Sequence, residues 1–394
     1  MKLSTLPYFR SGSVIIIVAL IFGAVNLVLA LTELQDTQDQ VSFFRQSGKA
    51  EPHPSKRRFL NREINLKSDS LSTQGNGAAH LADLRMRDVC ILADDATKTY
   101  YAVSSTSVPN NGPAVRAYTS RDLITWEGPH IIFQTPPDFW GDAHIKGIWA
   151  PELHAYRGKY YLFLTFDTDS LLPEQWRDWL PRVKRGTQVL VGNSPLGPFK
   201  PFQNHSTLPT DMMTLDGTLW VEDGVPYMVF SQEWVQITDG RIEMVRLKDD
   251  LSETVGEPVR LFAGSDAPWG RKSPRWGCWV TDGPYLYRSR SGKLFMIWSS
   301  FGKGGYTVGV AVSANGKLRG PWTQQAEPLF AEDGGHGMIF RRFDGQPMLV
   351  LHQPNKTGQE RARLFELEDT GETLRIKAPF TEKSGVNHPS QPER

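Results

Sequence analysis

The chain has 394 residues, of which 39% are hydrophobic and 22% charged, and this composition suits a soluble globular protein of one large domain or two ordinary ones. Its formal net charge of +1 at pH 7 gives no electrostatic indication of a nucleic-acid partner. The two cysteines, Cys90 and Cys278, are too few for a disulfide framework or for a zinc site made of cysteines alone. Two buried free thiols and one bridge between them are both compatible with the sequence.

Residues 1–31 contain the clearest local signal. Lys2 and Arg10 precede an uncharged run from Ser13 to Leu31, which is long for the core of a signal peptide and just long enough for a helix that spans a bilayer. Acidic residues follow the run, so the charge distribution favours translocation of the rest of the chain. We therefore predict a cleaved signal peptide or a membrane anchor in residues 13–31, and a protein exported to the periplasm, the cell surface or the medium.

Residues 32–80 are polar and irregular, and we interpret them as a disordered linker. For residues 81–394 we predict a single all-β domain. Short β-forming runs alternate there with Gly, Pro, Asp and Asn turns, and no long stretch has the 3.6-residue period of a helix.

The β-forming runs of this domain repeat. Five of them resemble one another, and four of the five open with the glycine that favours a hairpin turn. They are Thr99–Ser105, Gly158–Phe166, Gly224–Gln232, Gly292–Ser300 and Gly345–Gln353. Strand-rich units that recur in matching order predict a five-bladed β-propeller with four-stranded blades, whereas the turn signals of a β-sandwich would not recur in this way.

A distinctive residue precedes each repeated strand by eight to eleven positions, namely Asp88, Trp149, Asp216, Asp282 and His336. The first strand of every blade lines the central channel, so equivalent positions of different blades face one another across the axis. Each residue alone also has a structural explanation, since Asp before Gly is typical of a turn and a tryptophan is often part of a core. Their shared position predicts instead that three carboxylates converge with a histidine and a tryptophan. Neighbouring buried carboxylates titrate apart, and glycoside hydrolysis needs one protonated and one ionised carboxyl group.

These residues carry a resemblance to a known family. From about Arg85 to Phe380 the chain resembles glycoside hydrolase family 43, the five-bladed propeller enzymes that act on arabinosides and xylosides. The similar segments are WAPEL at 149–153, LDGTLWVEDGVPYMVF at 215–230, DGPYLYRSRSGKLFMIWSS at 282–300 and GHGMIFRRFDGQPMLVLHQPN at 335–355. The resemblance implies an inverting hydrolase in which Asp88 is the general base, Asp216 modulates the pKa of the acid and Asp282 is the general acid. It also implies that His336 helps to hold a structural calcium ion at the axis through water, with no cofactor required for the chemistry.

The chain departs from the family pattern at two positions. Val89 follows the base where proline is common, and Asp282 stands where the general acid is usually a glutamate. Aspartate is one methylene shorter, and misplacement by about 1 Å can reduce a rate about a hundredfold. Glu152 and Glu233 are alternative acids, which we rank lower because they are offset from the axial positions.

Substrate contacts are expected from aromatic side chains that can stack on sugar rings, namely Trp149, Trp234 and Phe166, although packing between blades explains Phe166 equally well. Trp140 and His144 precede the second blade and could reach the rim, and Arg288 could pair with a carboxylate or occupy an exposed strand position. The leading hypothesis is an exported glycosidase that cleaves arabinosides or xylosides of a polysaccharide. Its alternative is a catalytically impaired propeller that binds carbohydrate, which the shorter Asp282 would favour.

Overall fold

The computed structural model describes residues 79–108 and 111–381. This part of the chain forms five antiparallel sheets of four consecutive strands each, and one of them gains a fifth, short strand. Blade one contains β2 (Cys90–Asp94), β3 (Thr99–Val108), β4 (Gly112–Ser120) and β5 (Thr125–Gln134), with β1 (Ala79–His80) added beside β5. Blade two contains β6 (Ile145–Tyr156), β7 (Lys159–Leu171), β8 (Val183–Gly192) and β9 (Lys200–Pro201).

The remaining three blades follow the same plan. Blade three contains β10 (Thr214–Glu222), β11 (Val225–Gln232), β12 (Arg241–Leu247) and β13 (Thr254–Ala263), with the single-turn helix α1 (Trp234–Ile237) between β11 and β12. Blade four contains β14 (Asp282–Arg288), β15 (Leu294–Gly302), β16 (Gly305–Ser313) and β17 (Trp322–Gln324). Blade five contains β18 (Gly335–Arg341), β19 (Pro347–Gln353), β20 (Arg361–Asp369) and β21 (Leu374–Pro379). Short 3-10 turns lie at Leu81–Asp83 and Gly264–Asp266.

The first strand of each blade contacts the first strand of the next, and the contact of β18 with β2 closes the ring. The prediction of an all-β, five-bladed propeller with four-stranded blades is therefore confirmed. Local sequence explains the hairpins, since Arg157-Gly158 and Asp223-Gly224 both have positive φ at the two turn positions, as a tight hairpin between twisted strands requires. Gly292 and Gly345, which open two further repeats, also have positive φ, at 86° and 87°.

The core lies between neighbouring blades, where apolar side chains of adjacent sheets meet. The largest fully buried side chains include Trp126, Trp298, Tyr306, Phe163 and Phe166. Both cysteines are free and buried, which distinguishes between the two alternatives left open by the sequence.

The predicted anchor or signal peptide at 13–31 and residues 32–78 of the predicted linker lie outside the described residues. The last two residues of that linker, Ala79 and His80, form β1 and pair with Trp126 and Thr125 of β5. Among the described residues, no helix is long and apolar enough to cross a bilayer.

Candidate active site

A β-bulge shapes the start of the first strand in blades two to five. Two residues of that strand oppose one residue of the second strand, at Ala150-Pro151, Asp216-Gly217, Gly283-Pro284 and His336-Gly337. The first residue of each bulge has left-handed backbone geometry, with φ between 43° and 58°. Asp88, two residues before the first ladder pair of blade one, has φ of 49° and occupies the corresponding place.

The true structural equivalents are therefore Asp88, Ala150, Asp216, Gly283 and His336. The predicted equivalence holds for Asp88, Asp216 and His336, but Trp149 and Asp282 precede their bulges by one residue. The bulge adds a residue to the strand without changing the repeat pattern downstream, so spacing alone did not locate it. Left-handed geometry disfavours side chains, and the three blades that carry Asp or His at this place hold functional groups under backbone strain.

Hydrogen bonds between blades fix three of these strained positions. The N–H of Asp216 donates to Oγ1 of Thr165 at 2.9 Å, and the N–H of His336 donates to Oγ of Ser299 at 2.8 Å. The N–H of Asp88 donates to Nδ1 of His352 at 3.3 Å. In each pair the acceptor belongs to the second strand of the preceding blade, and blade five precedes blade one around the ring.

Blade four breaks this pattern in an informative way. The N–H of Gly283 donates to Oδ2 of Asp216 at 2.9 Å. The residue in blade three that corresponds to Thr165 and Ser299 is Ser231, and its buried Oγ has no hydrogen-bond partner among the described residues. Asp216 thus fixes the position of Gly283, the residue that immediately follows Asp282. The backbone of Gly283 also lies close to the His336 ring, since a Cβ on Gly283 would be 3.0 Å from it.

The predicted carboxylates and the histidine do converge. Nδ1 of His336 lies 3.4 Å from Oδ1 of Asp88 and 3.9 Å from Oδ2 of Asp216. The side chains of Asp88, Asp216 and His336 are 14%, 5% and 9% exposed. The carboxyl group of Asp282 accepts a hydrogen bond from the hydroxyl of Tyr306 at 2.9 Å, and Tyr306 in turn stacks on His352.

Arg87 completes this cluster together with His352 and Tyr306, and the sequence did not single out the latter two for it. His352 is fully buried and accepts from the Asp88 amide through Nδ1, so its proton belongs on Nε2, which lies 3.4 Å from Oδ1 of Asn355. In that tautomer His352 cannot donate to Asp88. Oδ1 of Asp88 has no hydrogen-bond donor among the described groups, and it is buried 3.2 Å from Nδ1 of His352 and 3.4 Å from Nδ1 of His336. His352 was detectable as the polar residue near the end of the repeated apolar segment Gly345–Gln353.

The electrostatic environment separates the titrations of the three carboxyl groups. Burial would raise the pKa of Asp88, but the neighbouring His336 and Arg87 outweigh burial, and the pKa lies well below the usual range. Because burial lowers the pKa of His336, the lasting positive charge beside Asp88 is that of Arg87, whose Nε is 3.5 Å from Oδ2.

The other two carboxyl groups shift in the opposite direction. Burial and repulsion from Asp88 and Glu233 raise the pKa of Asp282 to about 7, against the stabilising hydroxyl of Tyr306. Burial and the neighbouring carboxylates Asp282 and Asp88 raise the pKa of Asp216 well above its ordinary value. The cluster therefore holds one carboxylate that is ionised at mildly acidic pH beside two that tend to keep a proton, which is the division that general acid–base chemistry uses.

A second charged cluster surrounds Trp149. The guanidinium of Arg185 lies 4.3 Å from the centre of the Trp149 ring, donates to Oδ1 of Asp167 at 2.6 and 2.9 Å, and forms an ion pair with Glu233. Glu233 is thus committed to Arg185, which supports its lower rank as an acid. Glu152 is buried and contacts Nε2 of His154 at 2.9 Å.

Three other predicted contacts differ in where the structure places them. Phe166 has no exposed surface and packs edge-on against Phe139 at 4.9 Å between blades one and two, so here it belongs to the core and is not open to a sugar ring. Trp234 is half-buried and stacks on Trp276 in the connections that follow β11 and β13. Arg288 ends β14, at the opposite end of that strand from Asp282, and donates to backbone carbonyls of Gly292 and Gly316.

The structure places Trp140 and His144, the two candidate residues before blade two, in different environments. Trp140 packs on Phe166 and donates through Nε1 to Gln188 at 2.7 Å, whereas His144 is 75% exposed and pairs with Asp169 at 3.2 Å. Of these two side chains, His144 is the one that lies open to solvent.

The described residues contain no group of three His, Cys, Asp or Glu side chains that could hold a metal ion directly. Calcium prefers several oxygen ligands, whereas the Nδ1 atom of His336 faces the carboxylates of Asp88 and Asp216. The calcium ion expected from the resemblance stays a prediction, and the chemistry below does not depend on it.

Comparison with known proteins matches residues 82–378 to the family described as glycosyl hydrolases family 43. A solved structure described as an endo-arabinase from Bacteroides thetaiotaomicron is 39% identical and superposes with a TM-score of 0.65, covering 75% of this chain and 98% of that chain. Alpha-L-arabinofuranosidase 43 of Humicola insolens is 24% identical over 217 residues, which are 52% of this chain and 42% of that protein.

A third relative is described as the extracellular exo-alpha-(1->5)-L-arabinofuranosidase ArbA of Cellvibrio japonicus. It is 22% identical over 279 residues, which are 62% of this chain and 74% of that protein. The chain thus spans less than half the length of the Humicola relative, but nearly all of the length of the Bacteroides structure.

Proposed function

Since the chain belongs to glycosyl hydrolases family 43, we propose that it is a glycosidase that cleaves arabinosides or xylosides of a polysaccharide with inversion at the anomeric carbon. The observation that carries the proposal is the convergence of three carboxyl groups, in which Nδ1 of His336 lies 3.4 Å from Asp88 and 3.9 Å from Asp216, and Asp216 accepts the N–H next to Asp282. The surroundings lower the pKa of Asp88 and raise those of Asp216 and Asp282. Relatives named as arabinases and arabinofuranosidases favour an arabinose-containing substrate.

In this mechanism Asp88 is the general base. Its side chain is 14% exposed, and the Arg87 guanidinium 3.5 Å from Oδ2 keeps the group ionised. A water molecule that donates to the Asp88 carboxylate gives up its proton as its oxygen attacks the anomeric carbon.

Asp282 is the general acid and protonates the departing glycosidic oxygen. Its pKa of about 7 leaves the proton in place at mildly acidic pH, and the Tyr306 hydroxyl fixes one carboxyl oxygen. Asp216 acts through position as well as charge, because its carboxyl oxygen accepts the N–H of Gly283 and so anchors the backbone next to the acid. Trp149, braced by the Arg185 guanidinium, provides an aromatic face for the sugar ring.

Export is part of the proposal. Its support is the apolar run at 13–31 after two basic residues and the extracellular description of the Cellvibrio relative. A polymeric substrate outside the cytoplasm would require it.

The test uses the full chain with nitrophenyl arabinofuranoside, nitrophenyl xyloside, linear arabinan and xylan. We expect turnover of at least one arabinoside or xyloside, an inverted anomer as the first product by NMR, and a loss of about 10²–10⁴-fold in kcat for Asp88→Asn and for Asp282→Asn. Asp94→Asn is the matched control, because Asp94 ends β2 and accepts hydrogen bonds from Ala96, Thr97 and Tyr160, outside the carboxylate cluster. Full activity of Asp88→Asn would refute the base assignment. Binding of these polymers without any turnover by the native chain would establish the impaired, carbohydrate-binding alternative.

A further inference from the structure

Four tryptophans form a continuous row on the surface of blades two to four. Trp176 contacts Trp179 with ring centres 6.5 Å apart, Trp179 meets Trp234 edge-on at 6.4 Å, and Trp234 stacks on Trp276 at 5.9 Å. We call this row the tryptophan ridge. Its members come from three separate connections, so the row is produced by the tertiary fold and not by a local sequence repeat.

The topology places the ridge on the same face as the carboxylates. Asp216 and Asp282 stand at or near the beginning of β10 and β14, and the antiparallel second strands β7 and β11 end on that face. Trp176 and Trp179 lie between β7 and β8, Trp234 follows β11, and Trp276 lies between β13 and β14. All of these connections are on the carboxylate face.

The ridge is also continuous with the candidate site. Glu233, which immediately precedes Trp234, pairs with Arg185, and Arg185 lies on the ring of Trp149. The charge of Glu233 contributes to the raised pKa of Asp282. Trp149 of the candidate site is therefore connected to the ridge through Arg185 and its ion pair with Glu233.

Anchoring contacts hold the ridge in place. Nε1 of Trp179 donates to the carbonyl of Val235 at 2.8 Å, and Nη2 of Arg182 donates to the carbonyl of Gln236 at 2.6 Å, which together fasten the β7–β8 connection to α1. The buried guanidinium of Arg182 lies 4.2 Å from the centre of the Trp176 ring and covers one side of it. Trp176 is nevertheless 42% exposed, so the remaining ring surface faces solvent.

A contiguous apolar surface is typical of a binding site, and the tryptophan ridge is such a surface with Trp176 exposed at one end. The C–H face of a sugar ring is an apolar surface of matching size, while its hydroxyl groups can stay hydrated at the rim. We propose that the tryptophan ridge binds a further stretch of the polysaccharide chain whose scissile bond lies at Asp88 and Asp282. The inference rests on the proposed function for its substrate class, and it assigns to the protein a preference for polymer over short glycosides.

The experiment measures polymer binding separately from turnover. Full-length native protein, Trp176→Ala and Trp176→Phe are run in native gels that contain linear arabinan or xylan, and Phe202→Ala serves as a control, because Phe202 is 39% exposed and lies after β9, outside the ridge. The dependence of mobility on polymer concentration gives a Kd for the polymer, and we expect Trp176→Ala to raise this Kd about tenfold. Trp176→Phe should restore most of the affinity, and Phe202→Ala should bind like the native chain. Thermal unfolding of each variant verifies that the protein is folded.

Kinetics on two substrates distinguishes the ridge from the proposed function. For Trp176→Ala, the ratio of kcat/KM on the polymer to kcat/KM on the nitrophenyl glycoside should fall about tenfold. Turnover of the nitrophenyl glycoside with native-like polymer binding by Trp176→Ala would overturn the ridge and leave the proposed function intact. Absence of all turnover, with retardation that still depends on Trp176, would overturn the proposed function and keep the ridge. Absence of retardation for the native chain in either polymer would also overturn the ridge.

Discussion

The hydrogen bond from Tyr306 to Asp282 offers a direct test of the acid assignment. Tyr306 is 2% exposed, donates to Oδ2 of Asp282 at 2.9 Å, and thereby stabilises the ionised carboxylate. Tyr306→Phe removes this donor and keeps the ring that stacks on His352. Since the acid must be protonated, the variant should stay active to a higher pH than the native enzyme.

The size of the shift follows from the strength of the bond. A hydrogen bond to a charged group contributes about 1.5–3 kcal/mol, and each pKa unit corresponds to about 1.36 kcal/mol, so loss of the bond should raise the pKa of Asp282 by about 1–2 units. The pKa of Asp282 in the native chain is about 7, and we expect activity to be lost as the pH rises through it. The alkaline limb of kcat/KM should therefore move from near that pH to about 8–9 in the variant.

The assay is a pH profile of kcat/KM for native enzyme and Tyr306→Phe with whichever nitrophenyl glycoside is turned over fastest. Tyr287→Phe is the control, because Tyr287 is a buried tyrosine of the same blade whose hydroxyl donates to Asp369 at 3.0 Å. An alkaline limb that stays in place, or moves to lower pH, would refute the assignment of Asp282 as the acid. Because Asp216 and Asp282 repel each other, the alkaline limb of the pH profile reports on the titration of the pair. A limb that resolves into two steps in the variant, with one step moved to higher pH, would also agree with the prediction.

Two further predictions concern stability. Gly283→Ala forces a Cβ to within 3.0 Å of the His336 ring at φ of 50° and should lower the free energy of unfolding by about 1–3 kcal/mol, measured by denaturant titration. Gly292→Ala, which also has positive φ but open space, is its control, and equal losses in both variants would show that the contact with His336 is unimportant. Phe166→Ala should lower the free energy of unfolding by about 3–5 kcal/mol without a specific rise in KM, and a raised KM at native stability would return Phe166 to the substrate site.

The architecture could be predicted from sequence because the repeated signals are local. Turn glycines such as Gly158 and Gly224 have to adopt positive φ, and the apolar strands that follow them have to be buried. Each blade can therefore be recognised from its own segment of sequence. The positions of Asp88, Asp216 and His336 could be predicted for the same reason, since they hold the same place in three repeats.

The remainder of the site depends on side-chain contacts between different strands, which a repeat pattern does not contain. Tyr306 reaches Asp282 from the third strand of blade four, and Arg185 reaches Trp149 from the third strand of blade two. The one-residue offset of Asp282 from its structural equivalent, Gly283, arises from the bulge, which has no distinct sequence signal apart from the glycine itself. Phe166 shows the opposite difficulty, because an aromatic residue in a strand looks the same in sequence whether it faces a ligand or a neighbouring sheet.

The hydrogen bond from the Asp88 amide to His352 joins the first blade to the last, and Asp88 meets His336 at the same seam. The candidate base is thus assembled from segments about 250 residues apart in the chain, on either side of the junction that closes the ring. A nascent chain emerging from the ribosome would have four complete blades before either histidine was synthesised. Truncation within the last blade should consequently abolish activity completely. In a refolding experiment, the recovery of activity would report when the contact between blades one and five forms.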